Sequence, residues 1–233
     1  MKANLPILYI IATPIGNLRD ITLRALDILG EVDYILCEDT RVTKKLLVQY
    51  RIEKPLVSYH QHSTEKKVSK ILELFGNDKK IALASDAGTP GISDPGNELV
   101  AQLLARIPDL QVVPIPGPSA LTTLASVAGI PMDTFLFVGF PPHKRKRARF
   151  FERVVRSDAP VILYESKHRI LKTLSQLEEM YRSYTIQNVY VVAGRELTKM
   201  FETIYRGTLQ DVIKQIEKDT IKGEFTIIVY YAK

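Results

Sequence analysis

KIALASDAGTPGISDPGNELVAQLLAR, residues 80–106, places a short apolar run, a turn-rich loop and an amphipathic stretch in immediate succession. Residues 80–84 read as a buried strand, being short, apolar and bounded by turn residues, and 96–106 reads as a helix. Between them, Ser85 to Gly96 holds three glycines and two prolines in twelve positions. That composition describes backbone held rigidly where side chains would obstruct, as when main-chain amides and carbonyls must reach a ligand. An ordinary tight connection has the same composition, and composition alone names no ligand.

Outward from this unit the same strand-loop-helix rhythm repeats. Towards the N-terminus stand strand 6–13, helix 22–30 with Leu23, Leu26, Ile28 and Leu29 on one side and Gly30 as its stop, strand 32–37, helix 42–50, strand 55–59 and helix 64–75, in which Val68, Ile71, Leu72 and Phe75 recur at helical spacing. Strand 111–115 follows on the other side. Such alternation predicts an α/β fold with a mainly parallel sheet, helices on both faces and a ligand crevice beyond the carboxyl ends of the strands. At 114–118 the segment PIPGP interrupts the rhythm, because closely spaced prolines continue neither a helix nor a central strand. It divides the chain into an N-terminal α/β domain, 1–115, and a C-terminal one, 116–233. The second series comprises helix 118–128, strand 135–139, helix 145–156, strand 160–164, helix 168–180, strand 188–192, helix 208–218 and strand 224–231. Its last strands (VYVVAGREL, ETIYRGTL, GEFTIIVYYA) alternate more openly and suit antiparallel pairing, hence a mixed sheet.

Bulk properties bound the function. The chain has 233 residues, 45% of them hydrophobic, one cysteine and a formal charge of +6, enough apolar material for a substantial core. The opening MKANLPILYIIATPIG lacks the apolar length and cleavage site of a signal peptide, and no run reaches a membrane span, so a soluble cytoplasmic protein is expected. Cys37 alone excludes an internal disulfide and a cysteine-rich metal site; within VDYILCED it reads as a small core residue. The segment His143 to Arg149 holds five of the Lys and Arg residues, Lys144, Arg145, Lys146, Arg147 and Arg149. Such a patch docks polyanions by releasing condensed counterions, which makes RNA a candidate partner. A solvated helix start is the plainer reading. Phe140 and Phe150 stand close enough to stack on bases or to join the core.

Two nucleotide-binding patterns are absent. The first loop, Ala12 to Leu18, lacks both G-x-G-x-x-G and a Gly-Lys-Ser/Thr ending. In the third, Pro116 to Ala120, Ser119 suits the cap of the helix that follows.

Taken together, TPIGNLRDIT (13–22), EDTR (38–41), SYHQHS (58–63), SDAGTPGISDPG (85–96), PGPSA (116–120), GFPP (139–142), ESKHR (165–169) and GRELTKMFE (194–202) resemble, in this order over nearly the whole chain, the tetrapyrrole methylase superfamily, and within it the branch that methylates ribosomal RNA. The resemblance implies two α/β lobes with S-adenosylmethionine in the cleft between them, a homodimer, and 2′-O-ribose methylation of a cytidine in the decoding region of 16S rRNA in the small ribosomal subunit, with no metal. Carried over by motif, the cofactor would touch Pro14, Ala87, Gly88, Thr89, Ile92, Ser119 and Ala120, then Glu165 and Leu197 from the second lobe. Thr89 departs from the Asp of the Gly-Asp-Pro motif in corrinoid-pathway relatives and favours the ribosomal branch.

A ribose hydroxyl attacks only when its proton is removed or its incipient charge is stabilised. Candidates in the polar loops are Asp39, Arg41, Lys167, His168, Arg195, Glu196 and Lys199. The expectation is Lys199 and Arg195 as positioning and charge-stabilising groups and Glu196 or Asp39 as proton acceptor; surface or capping charges are the alternative for each. His60 and His62 read as loop-orienting residues. Two rival functions stay open, a tetrapyrrole or other small-molecule methylase and a non-catalytic RNA-binding assembly factor on a methylase fold.

Overall fold

The computed structural model describes residues 5–60, 65–77, 79–94 and 96–231; His62, expected to orient a loop, and Pro95 lie outside them. The chain divides into two compact units, Met1–Ser119 and Ala120–Lys233.

In the first unit the order is β1 (Ile7–Ile11), α1 (Leu23–Glu31), β2 (Tyr34–Cys37), α2 (Thr40–Gln49), β3 (Leu56–Ser58), α3 (Glu65–Gly76), β4 (Ile81–Ala84), α4 (Gly96–Leu104) and β5 (Gln111–Ile115). The five strands form one parallel sheet in the order β3-β2-β4-β1-β5. Period-two alternation sorts each strand between two apolar layers. Leu8, Leu36, Ile81 and Leu83 face α3 and α4, through Val68, Ile71, Phe75, Leu99 and Leu103. Ile11, Ile35, Ala82, Ala84 and Ile115 face α1 and α2, through Ala25, Leu29, Leu46 and Leu47. The chain therefore leaves β1 for one face and leaves the adjacent β4 for the other. Between those two strand ends lies a topological switch point, where open α/β sheets place ligands.

The second unit runs α5 (Ala120–Ser126), β6 (Leu136–Phe137), α6 (Arg147–Val155), β7 (Val161–Ser166), α7 (Ile170–Ser183), β8 (Val189–Arg195), β9 (Thr203–Thr208), α8 (Leu209–Glu217) and β10 (Glu224–Tyr231). Its sheet, β6-β7-β10-β8-β9, is mixed: β6 pairs parallel with β7, and every other pairing is antiparallel. The α/β class, the parallel first sheet and the mixed second sheet are those the sequence pattern predicts. α6, α7 and α8 pack Phe151, Val154, Leu174, Leu177, Val212 and Ile216 on one face of this sheet. Thr208 opens α8 with a full capping box to Asp211, which satisfies two of the otherwise orphan donors of the first turn.

Several local expectations are corrected. Gly30 does not stop α1 but lies within its last turn, and Leu23 is exposed, the buried stripe being Ala25 and Leu29. Strand 135–139 shrinks to Leu136–Phe137 because Gly139 turns the chain at φ +66°. Helix 145–156 begins at Arg147, after Lys146 at φ +65°. A 3-10 turn at Leu18–Asp20, capped by Asn17, was not legible.

Candidate functional site

Strands β4, β1 and β5 are neighbours, so their carboxyl ends bring the three glycine- and proline-bearing loops side by side. Thr13 and Gly88 exchange both backbone hydrogen bonds at 3.0 Å. The Thr13 hydroxyl donates to the Ser85 carbonyl at 2.9 Å, and the Ala12 amide donates to the Ile115 carbonyl at 3.2 Å. Thr89 Oγ1 donates to the Pro118 carbonyl at 3.3 Å. Gly88 adopts φ +85°, a left-handed conformation that suits glycine; a Cβ there would make only ordinary contacts, 3.4 Å from Ile15 Cγ2 and 3.7 Å from the Pro118 oxygen. Gly117 lets its loop approach Ala12, whose Cβ would sit 3.0 Å from an added one.

The second loop is braced by its own side chains. Asp94 Oδ1 accepts from the Gly91 and Gly96 amides, and Asn97 Nδ2 donates to the Gly91 carbonyl at 2.7 Å. Pro14, Gly88, Thr89 and Ser119 thus lie at the junction of the loops, with Ala87 and Ile92 exposed beside it. Ala120 opens α5 and is half-buried.

Beside this junction the structure adds two carboxyls that the sequence reading passed over. Asp86 Oδ1 accepts the Asp39 amide at 3.0 Å. Burial, with repulsion from Asp39 and Asp94 against that hydrogen bond, pushes the Asp86 carboxyl above its ordinary range. Burial, then repulsion from Asp94 and Asp86, does the same to Glu38. Asp39 behaves oppositely: the Arg41 side chain and amide hold its carboxyl down at about 2, and it caps α2. So stabilised an anion is a weaker base than Asp86. The only sequence signal for Asp86 was its place directly after a strand.

In the second unit, side chains expected to meet a ligand turn inward. Glu165 is 0% exposed; its oxygens take Arg169 at 2.8 Å, the Ser166 amide at 2.8 Å and the Thr173 hydroxyl at 2.6 Å. Arg147, expected on the basic surface, is buried too. It donates to Thr173 Oγ1 at 2.7 Å, Gln176 Oε1 at 2.8 Å and the Pro142 carbonyl at 3.0 Å, with its guanidinium over Phe151. Arg169 reaches the Pro141 carbonyl at 2.9 Å. Both corrections have one physical cause: a buried carboxylate needs cations and donors around it, and the network that supplies them pins the GFPP loop. Lys144, Arg145, Lys146 and Arg149 remain exposed. Phe140 is 45% exposed and its ring meets Tyr164, whereas Phe150 packs on the core.

The hairpin turn between β8 and β9 consumes the remaining candidates. Arg195, 7% exposed, donates to the Thr220 carbonyl and Thr203 Oγ1 and pairs with Asp219 at 3.1 Å. Glu196 pairs with Lys199 at 2.8 Å and accepts the Glu224 amide. Burial would raise the Glu196 carboxyl, but these contacts outweigh it and lower the value. Arg195 and Glu196 therefore brace the turn, and Lys199, half-buried, keeps its ammonium beside Glu196. Leu197 is buried against Gly194 and Leu124.

The model of the family Tetrapyrrole (Corrin/Porphyrin) Methylases matches residues 7–213. The chain is 41% identical over 222 residues to Ribosomal RNA small subunit methyltransferase I of Thermotoga maritima, covering 95% of this chain and 97% of that protein. It is 44% identical to the protein of that name from Mycoplasmopsis pulmonis, covering 96% and 97%. With the one from Bacillus subtilis it shares 43% identity, covering 98% and 76%. Among solved structures, the cobalamin biosynthetic enzyme cobalt precorrin-4 methyltransferase CbiF superposes with a TM-score of 0.69 at 19% identity, covering 96% of this chain and 94% of that one. The methyltransferase CobJ superposes at 0.70 and 18%, covering 98% and 95%. At such identities the structural likeness speaks for the fold, and the sequence relatives speak for the branch. The chain belongs to the tetrapyrrole methylase family of methyltransferases, alongside the proteins named ribosomal RNA small subunit methyltransferase I.

Proposed function

We propose that this chain methylates the ribose 2′-hydroxyl of a cytidine in the decoding region of 16S rRNA, using S-adenosylmethionine, in the cytoplasm and as a homodimer. The observation that carries the reading is the junction of the three strand-end loops, with Gly88 at its centre in a left-handed conformation, φ +85°, that strains any side-chain-bearing residue. The relatives' names supply the substrate class. No helix is long and apolar enough to cross a membrane among the described residues, in keeping with a substrate in the cytoplasm.

The residues present fit the methyl donor. Pro14, Gly88, Thr89 and Ser119 supply a rigid seat of backbone amides and carbonyls with little side-chain bulk, the kind of surface that a nucleoside and a charged amino-acid tail require. When bound, S-adenosylmethionine supplies a methyl group on a positively charged sulfur, which makes that carbon electrophilic. The protein's part is to hold the ribose oxygen in line and to keep water away. Asp86 is the proposed proton acceptor, because burial among other carboxylates raises its affinity for a proton. Lys199, steadied by Glu196, stays a proposed charge-stabilising cation of the second unit.

The test is incubation of the pure protein with methyl-labelled S-adenosylmethionine and either unmodified small ribosomal subunits or a precorrin. Label is expected in the rRNA, at one cytidine whose 3′ linkage then resists alkali because cleavage needs a free 2′-hydroxyl. Label in the macrocycle alone would mean a small-molecule methylase, and no binding of S-adenosylmethionine by calorimetry would mean a non-catalytic factor.

A further inference from the structure

The edge of the second sheet at the carboxyl ends of β6, β7 and β8 collects features that the catalytic reading leaves unused. The register places Glu165, Phe225, Arg195 and Thr203 in one row across β7, β10, β8 and β9. The Tyr164 amide ties Gly139, just past β6, to that row at 3.1 Å. The GFPP loop and its cations, the turn with Lys167, and the hairpin turn 196–202 therefore share one rim. With strands about 4.8 Å apart, the rim from β6 to β8 runs about 15 Å.

At the far end of this rim stand Met200, 90% exposed, and Phe201, 73% exposed. Their backbone is fixed rather than loose. Arg195 and the Thr203 hydroxyl both donate to the Phe201 carbonyl, the Thr198 amide donates to Glu202 at 2.6 Å, and the Lys199 amide returns to the Glu196 carbonyl at 3.0 Å. A braced turn that holds a ring in water cannot bury it by local collapse. Its apolar face is open to an outside partner.

Charge decides which partner. Lys144, Arg145, Lys146, Arg149 and Lys167 are exposed and form no ion pair among the described residues. The nearby acids are mostly engaged: Glu196 with Lys199, Asp219 with Arg195 and Tyr205, Glu202 with the Thr198 amide, while Glu224 is exposed. Cations beside a presented ring form the pattern that binds single-stranded nucleic acid, phosphates on the charges and an unpaired base on the ring. A second copy of this chain would bring the same unpaired cations against these. From this rim we infer that Phe201, flanked by Met200, is a stacking platform for an unpaired base of the RNA whose backbone lies on the cations after β6 and β7. The inference rests on the RNA reading above and adds to it a subsite on the hairpin turn.

Phe201→Ala removes the ring, and Phe201→Tyr keeps it; at this exposure neither disturbs the core. Binding of a short cytidine-containing single-stranded RNA, followed by anisotropy across a salt series, is expected to weaken about tenfold for Phe201→Ala, with Phe201→Tyr restoring it. The salt slope and the affinity for S-adenosylmethionine should stay as in the parent. A triple change of Lys144, Arg145 and Lys146 to Ala should instead flatten the slope. Parental RNA affinity for Phe201→Ala beside a weakened triple variant would overturn the platform and leave the RNA reading standing. Parental affinity in both would overturn both. Loss in both Phe201 variants, together with a smaller species in sedimentation, would identify the rim as a self-association face and sink the platform.

Discussion

At the residue scale the informative contrast is between Asp39 and Asp86, joined by one hydrogen bond and shifted in opposite directions. Asp39, held at about 2, stabilises the fold above the ordinary aspartate value, and that contribution disappears as pH falls from about 4 towards 2. Asp86 has the reverse sign. Its raised value favours the fold while it is protonated, and the contribution is lost as pH rises through its folded-state value. Asp86→Asn keeps an oxygen to accept the Asp39 amide but removes the charge. The expected outcome is a melting temperature at pH 7 no lower than the parent's, while methyl transfer falls by about 10² or more, the usual worth of a general base. Asp39→Asn should lower the melting temperature at pH 7 and leave it unchanged near pH 2. Thermal unfolding across pH and single-turnover methyl transfer read both. A loss of stability without loss of rate in Asp86→Asn would remove Asp86 from the chemistry.

At the scale of elements, the basic segment shows how charge and position part company. Read linearly, Arg147 belongs to a run of surface cations. On α6, however, it occupies the stripe shared with Phe151, Val154 and Val155, one turn before Phe151, so helical periodicity turns it towards α7. There it meets Thr173 and Gln176, and through Thr173 the carboxylate of Glu165. Arg169 completes the network. Removing it by Arg169→Ala leaves the Glu165 carboxylate buried without its paired cation, an arrangement that costs about 3–5 kcal/mol. Urea unfolding should show a destabilisation of that order, together with faster proteolysis at the loop 139–146 that Arg169 and Arg147 hold by its proline carbonyls. In contrast, changing Lys144, Arg145, Lys146 and Arg149 should shift the unfolding free energy by no more than about 0.5 kcal/mol for each site, the usual range for surface changes.

At the scale of the whole molecule, a formal charge of +6 is too small to define a partner, but its placement gives a measurable consequence. Five outward cations near one rim, each neutralising a phosphate of a single strand, predict a slope of about −3.5 in log affinity against log salt. Affinity for S-adenosylmethionine should be nearly flat over the same range, because the seat proposed for it in the first unit is made of backbone dipoles and small side chains. Parallel salt titrations of both ligands check this, and equal slopes would contradict it.

The sequence by itself determined the succession of strands and helices, since hydrophobic period and glycine-proline punctuation are local properties; the paired elements from β1 to α4 sit within a few residues of where the pattern puts them. It also determined the three loops, whose glycines and prolines mark tight turns. Tertiary structure alone decided which strands became neighbours, and so that β4, β1 and β5 would bring those loops together. It alone decided which charges face inward. Arg147, Glu165, Arg195 and Glu196 read from the chain as free functional groups; Arg169, four residues on, meets Glu165, while the partners Thr173 of Arg147, Asp219 of Arg195 and Gly223–Glu224 of Glu196 stand more than twenty residues away. A side chain's type is written in the chain, but its environment is set by residues far along it, and environment is what turns a charge into a brace, a base or a docking point.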